Sequence, residues 1–281
     1  MSYSLSFSEV SLLSAAALDA HPSAGRFVAL AVGPSDPMAG VARTVERQVF
    51  EQTFGNDADE MAAEYGPYEE SSLFFLVLDR RTGMPAGAGR VIDGGGKTLD
   101  EAPDLIGQDL SEIVAAHQMH DGRIWDFATV GVLPAYRGGK SGLMVSSLLY
   151  RTFLKAGHRA GVRHLVALLD HRAHRNLALL GVPFVPMAGS VPFAYLGSPS
   201  TMALHVPFAE IEPSLARQSR LLRRLGAPFS GEIRAKGLRR LVIRRLGAKI
   251  SHQVSTGSGL DAHIALPGLE RRRPLTAPYQ R

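Results

Sequence analysis

Six residues, Arg137-Gly138-Gly139-Lys140-Ser141-Gly142, have the types and spacing to grip a phosphate. Glycines let successive backbone N–H groups turn toward one point. A helix opening near Ser141 would aim the positive end of its dipole at the same place. Two phosphate readings compete with a plain one. Gly139-Lys140-Ser141 matches the end of a nucleotide-binding P-loop, but that motif needs a glycine where this chain has Pro134, and no later segment offers a convincing magnesium-binding Asp after an apolar strand. A diphosphate held by main-chain amides needs no metal. It would let the strand ending at Val132 splay from its neighbour and hydrogen-bond an extended pantetheine arm. The plain reading is a tight β–α turn with spare glycines.

The elements around the turn follow from periodicity. Phe27–Val32 reads as a buried strand, and Val41, Val45, Val49, Phe50 and Phe54 mark a helix with one apolar stripe. Leu73–Leu78 and Ala86–Ile92 flank Asp79-Arg80-Arg81-Thr82-Gly83 as a hairpin. Residues 98–120 are helical in part. Ile124–Val132 is a central strand running into the Gly turn, and the helix that follows stops at Gly161. His164–Leu169, a short helix from Ala173 to Leu180, and strands at Phe184–Met187 and Met202–Pro207 complete the order. The N-terminal twenty residues carry no Lys or Arg and are expected to be mature protein, not a secretory leader.

The chain has 281 residues and no cysteine, so disulfides, thiolate metal sites and cysteine nucleophiles are excluded. No apolar run reaches the length of a membrane span. His171 and His174 have no third ligand nearby in sequence and read as surface or cap residues, so no metal is expected. The net charge of +5 conceals an acidic body followed by a strongly basic region after Ala209. From Arg217 to Lys249 there are eleven Lys/Arg and one Glu.

The stretch VGVLPAYRGGKSGLMVSSLL resembles the acyl-carrier signature of the GNAT acyltransferase superfamily. Arg137 and Gly142 fall on its first and last positions, and Lys140 stands where a glycine is usual. The segment from Arg47 to Val91 is similar to the N-terminal half of acyl-homoserine-lactone synthases and long-chain N-acyl amino acid synthases. Arg47, Phe50, Phe54, the acidic-aromatic stretch to Tyr68, Gly87 and Arg90 fit that outline. Where that group has a Glu-x-x-Arg pair on the central strand, this chain has Asp126 and Thr129, so the homoserine-lactone product is in doubt. The resemblance spans residues 27–208. It implies an α/β (α+β) fold with a mixed, mostly antiparallel central sheet flanked by helices (residues 1–208), followed by a basic, helical or partly disordered C-terminal extension (209–281).

Acyl transfer to an amine must remove the amine proton, polarise the thioester carbonyl and protonate the leaving thiol. Asp126 is the expected base, with Glu112 as an alternative. Strand alternation would put Asp126, Ala128, Val130 and Val132 on one face. Backbone N–H groups near Val130 to Val132 would polarise the carbonyl. Val130, Val132, Arg137, Gly138, Gly139, Lys140, Ser141 and Gly142 would bind the acyl donor. Arg47, Phe54, Arg90 and Thr129 would meet the acceptor. Many relatives protonate the thiolate with a tyrosine on the last helix. Here that helix has Leu179 and Leu180, leaving a water, His171, His174 or Tyr195. Phe184, Met187, Phe193 and Tyr195 could line an acyl tunnel or belong to the core.

The expected activity is N-acyl transfer from acyl-CoA, or from the thioester of an acyl carrier protein (acyl-ACP), to a small amine or amino acid. The alternative is a non-catalytic module that senses acyl-CoA. The basic region would meet an acidic acyl carrier protein or an anionic membrane. Nucleic acid is disfavoured, because Phe229 is the one aromatic interleaved with those charges. The expected location is cytoplasmic, peripheral to a membrane if the basic region docks there.

Overall fold

A computed structural model describes residues 2–23, 25–225 and 235–269. Residues 226–234 and 270–281 of the basic region, Phe229 among them, lie outside the described residues. The chain order is α1 (Phe7–Ala20), β1 (Phe27–Val32), α2 (Pro37–Phe54), α3 (Ala58–Tyr65), β2 (Ser72–Asp79), β3 (Met84–Asp93), α4 (Gly96–Ile106), α5 (Leu110–Ala116) and β4 (Arg123–Val132). It continues with α6 (Gly139–Ala160), β5 (Val162–Asp170), α7 (His171–Leu180), β6 (Val185–Pro186), β7 (Phe193–Tyr195), β8 (Ser198–Pro207), α8 (Phe208–Leu225), α9 (Ala235–Thr256) and β9 (Ile264–Ala265). The predicted strands are all present. α1 has no counterpart in the periodicity reading. Its start is fixed by a capping box in which Ser6 and Glu9 satisfy each other's backbone N–H groups.

The sheet order is β6-β8-β5-β4-β3-β2-β1-β9, with β7 beside β8. β4 and β5 pair in parallel, as do β1 and β9, and the other pairings are antiparallel. The parallel pair β4–β5 is joined through α6, the kind of crossover connection that parallel strands require. Both faces of the sheet are covered. α1 and α2 pack on one through Val10, Leu18, Val41 and Val45, joined by α4 and α5 further along. α6 and α8 cover the other through Val145, Leu148, Phe153, Phe208 and Ile211, around Trp125 and Phe127. That two-sided cover explains why β1 and β2 are apolar at nearly every position instead of alternating.

The described part of the basic region packs onto the rest of the chain. α8 and α9 form an antiparallel pair, and Phe208, Ile211, Leu215 and Val254 join the α6-side core. β9 then extends the sheet beyond β1.

Candidate functional site

β4 and β5 start as partners and then part. Their register runs from Arg123↔Val162 to Asp126↔Val166 and stops there. Beyond it, β4 pairs with β3 alone and β5 with β8. A wedge therefore opens along Phe127–Val132, as the splayed-strand reading requires. Leu133 donates its N–H to Ala86 O on β3 at 3.0 Å. Antiparallel alternation then turns the peptide groups of Val132 and Val130 away from β3, into the wedge. The Val132 carbonyl accepts from Arg137 Nε at 2.8 Å, so that arginine bridges strand and turn.

The Gly turn is built for close approach. Gly138 (φ 85°) and Gly139 (φ 56°) occupy the left-handed region, and α6 begins at Gly139, two residues earlier than expected. Gly142 N–H closes the first helical bond, onto Gly138 O at 2.9 Å. The amides of Gly138, Gly139, Lys140 and Ser141 have no acceptor among the described residues. A Cβ on Gly142 would stand 2.7 Å from Tyr136 O, so only glycine keeps the turn this tight. On the β1 side of the turn lies a cavity of about 260 Å³, lined by Arg26, Lys140, Ser141 and His263. On the far side, Phe127 and Leu165 at the foot of the wedge open onto an apolar cavity walled by Phe153, Leu177, Leu180 and Phe184, with Ile250 and Val254 of α9.

Asp126 is buried and held from both sides: Thr98 donates its N–H at 2.8 Å and its hydroxyl at 2.7 Å. Asp126 thus caps the first turn of α4, a role the sequence did not suggest. Burial pushes its carboxyl up to about 7, against the pull of the Thr98 bonds and of Lys97. A carboxyl poised there can exchange a proton near neutral pH.

One expectation about β4 is corrected. The strand carries a β-bulge: Arg90 pairs with Thr129 and Val91 with Phe127, which leaves Ala128 without a partner. The extra residue shifts the alternation by one. Asp126 therefore lies on the face of Thr129 and Gly131, toward α2, where a Cβ on Gly131 would meet Val49. Val130 and Val132 face the opposite way and pack against the α6-side core.

Arg90 and Thr129 converge on one acid. Glu46 of α2 accepts from Arg90 Nη2 at 2.8 Å, from Arg90 Nε at 3.3 Å and from Thr129 Oγ1 at 2.5 Å. Tyr3 accepts from Arg90 Nη2 at 2.9 Å, and the guanidinium lies over Phe74 and Tyr65. Arg90 is 0% exposed, and burial of Tyr3 pushes that phenol up to about 12. Glu46 and Tyr3 escaped sequence reasoning. The available signal was Arg90 itself, an arginine inside an apolar strand that had to find an acid. Arg47 faces elsewhere and pairs with Glu51 one turn on, while Phe54 packs on Phe50 at the end of α2. Glu112 is exposed in the first turn of α5, whose Ile113 is the buried contact, so it does not join Asp126.

The aromatic stretch divides. Phe184 lines the apolar cavity, but Met187 and Phe193 pack on the other face with Leu99 and Ala102. Tyr195 donates to Glu101, which also binds Lys97. Lys97 reaches Glu64 as well, placing a charged cluster beside Asp126. His171 and His174 sit in the first turn of α7, which Asp170 caps. Among the described residues no three His, Asp or Glu side chains are grouped to hold a metal. Nor is any helix there long and apolar enough to cross a membrane.

No protein-family model matches the chain, and no curated protein matches it in sequence. Solved structures do. FeeM, an N-acyl amino acid synthase from uncultured soil microbes, aligns over 67% of this chain and 94% of its own at 14% identity, with a TM-score of 0.51. BjaI, a CoA-dependent acyl-homoserine lactone synthase solved with SAM and isopentyl-CoA, aligns over 77% and 99% at 17% identity, TM-score 0.40. LasI, described as an AHL synthase, aligns over 66% and 91% at 15% identity, TM-score 0.45. At 14% identity the likeness to FeeM is one of fold, and the mixed, mostly antiparallel sheet flanked by helices is the GNAT-like fold expected from the sequence.

Proposed function

We propose that the chain is an N-acyltransferase that moves an acyl group from a CoA or carrier-protein thioester to a small amine or amino acid. The wedge carries this reading: strands parting at Asp126, unbonded amides from Gly138 to Ser141 at its mouth and an apolar cavity at its foot. A diphosphate fits the amides, a pantetheine arm fits beside the Val130 and Val132 peptide groups, and the acyl end would point at the apolar cavity, whose walls must give way to admit a chain. The amine nitrogen attacks the thioester carbon, a C–N bond forms and the C–S bond breaks. The amine loses its proton to Asp126, directly or through a water, and the thiolate takes one up. Phosphates leaving the turn on the β1 side would meet Arg26, Lys140 and His263.

A second reading is an acyl-CoA sensor, and one observation favours it: both Asp126 oxygens are already occupied by Thr98. Asp126→Asn separates the two, because an amide keeps bonds to Thr98 but cannot take a proton. Free thiol is followed with acetyl-CoA and longer acyl-CoAs, with and without a pool of amino acids. The enzyme reading expects amine-dependent thiol release that falls about 100-fold or more in Asp126→Asn. Tight CoA binding without amine-dependent release would leave the sensor.

A further inference from the structure

Lys97 is 5% exposed, a place where few ammonium groups are found, and it stands one residue before Thr98, which holds Asp126. Glycines bring the first turn of α4 against β4. Gly94 and Gly95 both donate their N–H groups to Ile124 O, at 2.9 and 3.3 Å. A Cβ on Gly96 (φ 42°) would stand 2.6 Å from Ile92 Cβ and 3.1 Å from Asp126 Oδ2. Lys97 Nζ donates to Glu64 of α3 at 2.5 Å and to Glu101 one turn on, and it lies 5.1 Å from the centre of the Tyr195 ring. Tyr195 donates to the other oxygen of Glu101. Thus α3, α4 and the β7–β8 hairpin all fasten on one ammonium.

Lys97, Glu64 and Glu101 together carry one net negative charge beside Asp126, which is 1% exposed. Without the ammonium, two unbalanced carboxylates would face a third in a dry site, where like charges do not all ionise. Tyr65 and Tyr68, phenols that burial pushes up, lie on the same side with Asp100, which Tyr68 bonds. The neighbouring strands β3 and β5 pair Asp126 with Ile92 and Val166, and the Arg90–Glu46 pair on this face is balanced within itself. The geometry points to Lys97 as a positioning residue for proton transfer: its ammonium offsets Glu64 and Glu101, and so keeps the Asp126 carboxyl able to ionise and accept a proton from the amine.

This rests on the reading of Asp126 as proton acceptor, but its first test needs no substrate. With isotopically labelled aspartate in the full-length chain, the carboxyl NMR signal of Asp126 is the one missing from Asp126→Asn, and its shift is followed against pH. Lys97→Met keeps the length of the side chain and removes the charge, so the Asp126 midpoint should rise by about one pH unit or more. Glu101→Gln removes a like charge, so the midpoint should fall. The sign separates charge from packing. A Lys97→Met chain that was merely loosened would admit water and draw Asp126 down toward the ordinary carboxylate range. A midpoint that falls or stays in Lys97→Met, or that rises or stays in Glu101→Gln, overturns the proposal. Unfolding midpoints certify each variant, and Lys97→Gln, which can still bond both carboxylates, replaces Lys97→Met if that chain unfolds. The acid limb of kcat/KM against pH should move with the NMR midpoint in each variant, and a limb that stays while the midpoint moves also overturns the assignment. Shifts of the expected sign in a chain without amine-dependent thiol release would instead sink the acyltransferase reading and leave the hold of Lys97 on Asp126 standing.

Discussion

Gly142 concentrates the demands on the turn into one missing carbon. Its Cβ position is 2.7 Å from a backbone oxygen, Tyr136 O, which cannot swing away as a side chain would. Gly142→Ala should push Pro134–Tyr136 off the helix start and misdirect the amides of Gly138–Ser141. Calorimetric titration with CoA should show affinity falling about tenfold, while Lys140→Ala, at an exposed position, should change it by no more than about fivefold. Equal losses from the two would mean that charge, not the amide nest, holds the ligand. The glycines of this turn were legible because positive φ and close approach leave few other residues possible. Asp126 was legible as an acid on a central strand, but Thr98 was not its obvious partner, since the contact depends on α4 returning over β4. The bulge at Ala128 was invisible: Phe127-Ala128-Thr129 contains no glycine or proline to announce it, and the extra residue is set by the register against β3.

Elements bring together groups that no local pattern connects, and the histidines on β5 and β8 are the sharpest instance. His164 Nδ1 and His205 Nε2 are 3.2 Å apart, and the His117 ring, just past α5, lies 4.5 Å from that of His205. His117 Nε2 accepts the Ala188 N–H at 2.9 Å, which fixes that nitrogen as unprotonated. Burial lowers all three, and His205 falls to about 3, helped by its two neighbours. Below 6.5 the unfolded chain binds a proton that folded His205 refuses, so stability is lost as pH falls from 6.5 toward 3. Asp126 has the opposite sign. Its folded carboxyl holds a proton up to about 7 whereas an unfolded one releases it near 3.8, so its contribution declines as pH rises across that window. The two slopes oppose each other in the unaltered chain, and the difference from a variant isolates one. His205→Gln should lose less stability on acidification than the unaltered chain, read as unfolding midpoints between those limits; identical slopes would show that the cluster does not titrate with unfolding. The strands carrying these residues were legible from their apolar runs. α1 was readable in principle from Ser6 and Glu9, but its weakly segregated apolar residues gave no clear stripe.

At the scale of the whole molecule, the basic region closes the core that the rest of the chain leaves open. Phe208, Ile211, Leu215, Val254, Leu260 and Leu266 are all buried, and burying six such side chains contributes on the order of 10 kcal/mol, comparable to the net stability of a domain. Composition marked the outward arginines of α8 and α9 and hid this inner face, because charge counts average over both sides of a helix. One consequence bears on the acyl chain. The apolar cavity has about 30 Å³ free, the share of a single water, so its α9 wall limits what can enter. Ile250 is the half-buried part of that wall, and Ile250→Ala removes three carbons from it at a cost of about 2 kcal/mol or somewhat more. Each methylene that then finds room in the cavity gains about 0.8 kcal/mol, close to a fourfold rise in kcat/KM per added carbon relative to acetyl-CoA. Measured over a series of saturated acyl-CoAs with one amine, the variant's preference should move to longer chains while its use of acetyl-CoA stays near that of the unaltered chain. An unchanged chain-length profile would place the acyl group outside this cavity, and α9 would then be a wall of the core alone.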